Sequence, residues 1–115
     1  MKPVRVVFLD EAKEEYKRLN QMVEKQDTKN SPEMKLLISI NQKVELIKAN
    51  PFYGDNIRKD QIPKEYHVQN LWRVQLVGYW RMLYTIKGDN IEILCFVLDI
   101  LDHKRYDKMF GYRKR

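Results

Sequence analysis

The chain has 115 residues, 43% of them apolar or aromatic, and a formal net charge of +6. That size suits one domain spanning residues 1–115, with a core that hides roughly 65% of the unfolded surface. The composition excludes several classes. No run reaches the roughly 18 apolar residues needed to span a bilayer, Cys95 has no second cysteine to pair with, and the two histidines are isolated, so neither a disulfide framework nor a metal cluster is expected. The N-terminus lacks the apolar stretch and cleavage site of a signal peptide, which predicts a cytoplasmic protein with no membrane partner.

Pro3 to Leu9 alternates and reads as a strand. Asp10 is a suitable cap for a helix running to about Gln26, with Ala12, Tyr16, Leu19 and Val23 on one face. The polar stretch Asp27–Asn30 breaks it, and Ser31-Pro32 opens a second helix carrying Leu37, Ile40, Val44 and Ile47. Asn50-Pro51 ends that helix, and the short connection predicts an antiparallel helix hairpin. Phe52 to Tyr66 reads as a loop. Trp72–Val77 and Trp80–Ile86 alternate as two strands around a turn at Gly78, and Lys87-Gly88-Asp89-Asn90 is hairpin-turn chemistry. Ile91–Ile100 is almost continuously apolar, as a strand covered on both faces would be. A short helix from about His103 to Phe110 ends at Gly111. The fold class is therefore α+β: an N-terminal strand, an antiparallel helix hairpin, a three-stranded antiparallel meander and a short C-terminal helix.

Charge is unevenly placed. Residues 57–115 hold 12 Lys/Arg against 7 Asp/Glu, whereas residues 1–56 hold 10 against 9. A basic half opposite a nearly neutral one suits a polyanion, an acidic protein, or both in turn; a plain soluble surface is the alternative. Period-two geometry places Arg73, Gln75 and Arg81 on one sheet face, opposite Trp72, Val74, Leu76, Trp80, Met82 and Tyr84. His103, Lys104, Arg105 and Tyr106 leave the third strand and can fold over that face, and Lys59 and Lys64 can approach from the preceding loop. Cations beside a proton carrier are what cleavage of an RNA phosphodiester requires. The 2′-hydroxyl loses a proton as it attacks phosphorus, the non-bridging oxygens gain charge, and the departing 5′-oxygen needs a proton. Arg81 and Arg73 would grip the phosphate, His103 would carry a proton, and Tyr106 would stack on a base or orient the phosphate. The competing readings are a solvated Arg81, an Arg73 paired with a nearby acid, a helix-capping or surface His103, and a core Tyr106. Trp72, Trp80 and Cys95 read as core. His67 reads as a surface loop residue, and Glu14 with Arg18 as a solvated helix pair.

Three motifs give a family resemblance: Asn50-Pro51-Phe52-Tyr53-Gly54, then Leu71-Trp72-Arg73-Val74…Gly78-Tyr79-Trp80-Arg81-Met82-Leu83-Tyr84, then Val97-Leu98-Asp99-Ile100…His103-Lys104…Tyr106. With the element order, they make the chain resemble the RelE/ParE superfamily of bacterial and archaeal toxins. The resemblance implies a RelE-like microbial RNase fold, a ribosome-dependent mRNA endonuclease needing no cofactor or metal, and a cognate antitoxin that neutralises it in a hetero-oligomer. It implies catalytic roles for Arg81, His103 and Tyr106 and an RNA contact for Arg73; Gln75, Lys59, Lys64, Lys104 and Arg105 are the further RNA-contact candidates, by their placement around that face. The chain departs from the pattern in two places: Gln75 stands where active relatives can be basic, and Ile100-Leu101-Asp102-His103-Lys104 is one residue longer than Ile-Gly-His-Arg. One branch of the superfamily poisons DNA gyrase instead, and a catalytically inactive antitoxin-binding relative is a further alternative.

Overall fold

The near-continuous apolar run becomes β5 (Ile93–Leu101), and its composition follows from its position between two other strands with side chains packed on both faces. The computed structural model describes residues 2–26 and 30–111. Its elements are β1 (Val4–Phe8), α1 (Asp10–Lys25), α2 (Pro32–Ala49), β2 (Asp55–Asn56), β3 (Trp72–Gln75), β4 (Arg81–Gly88), β5 and α3 (His103–Phe110). They form a five-stranded sheet in the order β1-β5-β4-β3-β2. The meander β3-β4-β5 is antiparallel as expected. β1 runs parallel to β5, with Val4 opposite Ile93 and Phe8 opposite Val97, which the intervening helix pair makes possible.

Both helices lie on one face. Leu19, Leu36, Ile40 and Ile47 pack there with Val74, Met82, Tyr84, Cys95, Val97 and Ile100. Leu83, Leu101, Ile57, Leu71 and Tyr106 form a second cluster on the opposite face, flanked by Tyr66, Met109 and Phe110. Val97 and Ile100 are three residues apart yet serve the same core. A bulge explains this: Leu83 faces Asp99 and Tyr84 faces Val97, so Leu98 is an extra residue that reverses the alternation.

Several boundaries differ from expectation for local reasons. Asp10 does not cap α1; Leu9 holds that position without a side-chain bond, and Asp10 turns the chain as the first helical residue, with φ of 42°. β3 stops at Gln75 because Val77–Tyr79 form a 3₁₀ turn, closed by the Leu76 amide donating to the Trp80 carbonyl at 2.8 Å; β4 therefore begins at Arg81. The segment read as a loop contains β2 and two further 3₁₀ turns, Lys59–Gln61 and Lys64–Tyr66. Arg18 pairs with Glu15 at 2.6 Å, not with Glu14. The polar break after α1 falls largely on residues 27–29, outside the described residues. Other signals translate directly: the Ser31 hydroxyl accepts from the Met34 amide, the Asp102 carboxylate accepts from the Arg105 amide, and Gly111 ends α3 with φ of 68°.

The exit from α2 is locked to the hairpin. Tyr84 donates from its hydroxyl to the Pro51 carbonyl at 2.8 Å and accepts from the Gly54 amide at 3.0 Å. Gly54 has to be glycine: a Cβ there would lie 2.9 Å from the Arg73 carbonyl and 3.0 Å from the Tyr84 hydroxyl. The Asn-Pro…Gly motif thus seats β2 against β3.

Candidate functional site

Pairing of β3 with β4 sets Gln75 opposite Arg81 and Arg73 opposite Leu83. The three polar residues therefore share the face away from α1 and α2. α3 lays Tyr106 across that face. Arg73 Nη1 donates to the Tyr106 hydroxyl at 2.8 Å, and the Arg81 guanidinium sits 4.8 Å from the centroid of the same ring. Two cations from adjacent strands thus meet on one tyrosine. Tyr106 is 1% exposed and its ring stacks on Phe110 at 4.5 Å. That burial excludes the base-stacking role considered for it and leaves it as the floor beneath the arginines.

The arginines differ in their partners. Arg73 Nη2 also meets Asp55 of β2 at 3.2 Å, the acid partner the sequence left open. Partial burial alone would lower the Arg73 pKa; interactions with Tyr106 and Asp55 outweigh it, so the pKa is raised and the charge is secure. Arg81 donates to the Tyr79 carbonyl, and among the described residues no carboxylate pairs with it.

His103 opens α3 with its imidazole exposed. Its Nε2 lies 3.2 Å from Asp107 Oδ2, one helical turn on, and its ring centroid is 6.1 Å from that of Tyr79. Tyr79 therefore links the imidazole to Arg81 through its ring on one side and its carbonyl on the other. The sequence reading missed Asp55, Asp107 and Tyr79. The i,i+4 spacing from His103 could have flagged Asp107; nothing marked Asp55, because β2 was read as loop.

The remaining candidates are more scattered. Gln75 is exposed and lines a hollow of about 250 Å³ with Lys43, Tyr53, Gly54, Asp55 and Arg73. Lys59 and Lys64 line a separate depression with Ile62, Pro63 and His67, to which neither site arginine contributes. Lys104 is exposed on α3. Arg105 turns away: it pairs with Asp102 at 3.5 Å and lies 5.6 Å from the centroid of Trp80, whose ring packs with the helices. The basic residues Arg113, Lys114 and Arg115 lie outside the described residues. Burial pushes the Cys95 thiol up to about 11, in keeping with a core residue. Among the described residues, no group of three or more His, Cys, Asp or Glu could hold a metal ion, and no helix is long and apolar enough to cross a membrane.

No protein-family model and no curated protein matches the chain. Among solved structures, one described as a YoeB/ParE toxin from Agrobacterium tumefaciens is similar, with a TM-score of 0.59. The match covers 90% of this chain and 99% of that one at 16% sequence identity. The chain has the fold of a RelE/ParE-type toxin. That fold presents one sheet face to the helix pair and the other to α3, which is the face where Arg73, Arg81 and Tyr106 meet.

Proposed function

We propose that the chain is the toxin of a toxin–antitoxin pair, a RelE-like member of the superfamily, and that it cuts ribosome-bound mRNA with its own side chains. The observation that carries this reading is the convergence of Arg73 and Arg81 on Tyr106. Two guanidinium groups on neighbouring strands match a single phosphate better than two dispersed surface charges would. In this mechanism the RNA 2′-oxygen attacks phosphorus, the bond to the 5′-oxygen breaks, and a cyclic phosphate is left. Arg81, which no carboxylate among the described residues pairs with, holds the non-bridging oxygens as they gain charge. Arg73 adds a second cation once phosphate displaces Asp55. The 2′-hydroxyl gives up a proton and the departing 5′-oxygen gains one; His103, oriented by Asp107, carries one of these and solvent water the other. The antitoxin is a protein with an acidic segment that covers the basic face.

The test is a translation reaction supplied with purified protein. Cleavage within ribosome-bound mRNA, lost in Arg81→Ala with the melting temperature unchanged, supports the reading. Intact mRNA with inhibited DNA supercoiling would replace it with the gyrase-directed branch, and no effect in either assay would leave an antitoxin-binding relative.

A further inference from the structure

The geometry points to Tyr79 as a platform on which a nucleobase stacks beside the scissile linkage, an inference that rests on the nuclease reading above. Tyr79 is 70% exposed, more than Phe52 at 59% or Tyr53 at 41%. Its backbone lies in the left-handed region, with φ of 64°, directly after Gly78 at 67°. A bulky non-glycine residue rarely adopts that conformation, and it persists where surrounding structure enforces it. The strain does not serve packing, because the ring it positions is left in solvent.

The turn is held firmly. The Leu76 amide donates to the Trp80 carbonyl at 2.8 Å, the Val77 amide donates to the Ser39 hydroxyl of α2 at 3.1 Å, and Arg81 donates to the Tyr79 carbonyl. One side of the ring meets His103 at 6.1 Å, tilted by 57°. The held turn thus sets the exposed ring beside the candidate proton carrier, with its own carbonyl bonded to the candidate phosphate-binding arginine. A base lies one sugar away from its own phosphate, so a nucleotide gripped by Arg81 brings its base to this ring. Every base has a π face, so the platform supplies binding and alignment without distinguishing the four.

The test measures kcat/KM on programmed ribosomes with two mRNAs, one intact and one carrying an abasic nucleotide next to the cleaved bond. Tyr79→Asn removes the ring while tolerating the left-handed backbone, and Tyr79→Phe retains the ring. The wild-type protein is expected to lose about tenfold on the abasic mRNA. Tyr79→Asn should lose about the same on intact mRNA and nothing further on the abasic one, and Tyr79→Phe should behave as wild type. A wild-type enzyme indifferent to the missing base would overturn the platform while leaving the nuclease reading in place, as would Tyr79→Asn with full activity or an undiminished abasic penalty. Failure of the wild-type protein to cut intact mRNA overturns the nuclease reading, and the platform falls with it.

Discussion

Arg73 donates to the hydroxyl of Tyr106 at 2.8 Å, and that hydroxyl belongs to a ring only 1% exposed. The guanidinium is therefore aimed by a group that cannot itself meet substrate bases. Tyr106→Phe keeps the ring beneath Arg81 and removes the hydroxyl that accepts from Arg73. The expected result is a folded protein with cleavage reduced about tenfold, the consequence of one lost charge-assisted bond of ~1.5 kcal/mol. Tyr106→Ala instead leaves a cavity and should cost about 3–5 kcal/mol in stability. Single-turnover kinetics and thermal melts on both variants check this.

Asp55 contacts Arg73 at 3.2 Å, so in the proposed mechanism a carboxylate competes with phosphate for that guanidinium. Asp55 is well exposed, so the ion pair itself adds little to stability. Asp55→Asn should lower KM for ribosome-bound mRNA about threefold, with kcat and the melting temperature nearly unchanged. An increase in KM would mean that the acid positions Arg73 rather than competes for it.

The shared face of Arg73, Gln75 and Arg81 was legible because strand alternation needs only a correct hairpin register, and the turn residues around Gly78 supplied that. The helix pair and the short α3 were legible for similar local reasons: apolar spacing, Ser31-Pro32 and Gly111. Long-range placements were not. Nothing local to Val4–Phe8 says that it runs parallel to β5, and a two-residue strand such as β2 is too short for periodicity to reveal. Lys59 and Lys64 were grouped with the site by charge, yet the 3₁₀ turns carry them to a depression of their own. Arg105 was grouped by sequence adjacency, but a helix separates neighbours by about 100°, and its side chain reaches Trp80 instead.

Tyr84 ties the α2 exit to the sheet, and burial pushes its phenol up to about 12 from an ordinary 10.0. The folded chain thus holds that proton more tightly than the unfolded chain. The resulting stability is fully present below pH 10 and is lost as pH rises toward 12. Tyr84→Phe strips the Gly54 amide of its acceptor and the Pro51 carbonyl of its donor, at a cost of about 1–3 kcal/mol near neutrality. Denaturant melts should show the gap between wild type and Tyr84→Phe narrowing above pH 10; a gap that widens there would contradict the assignment.

Gly54 offers a purely steric check. An added methyl at 2.9 Å from the Arg73 carbonyl has to push β2 away from β3. Gly54→Ala should cost about 1–3 kcal/mol and raise hydrogen exchange at the Asp55–Asn56 strand, with protection of β4 and β5 retained.

The central claim is that Arg73 and Arg81 act together on one phosphate, and a double-mutant cycle tests it most directly. Cleavage rates on programmed ribosomes are measured for wild type, Arg73→Ala, Arg81→Ala and the double variant. Residues acting as a unit give non-additive losses, so the double variant should be little slower than Arg81→Ala, with a coupling of about 1–3 kcal/mol. Losses that simply add would place the two guanidinium groups on separate tasks and contradict the account.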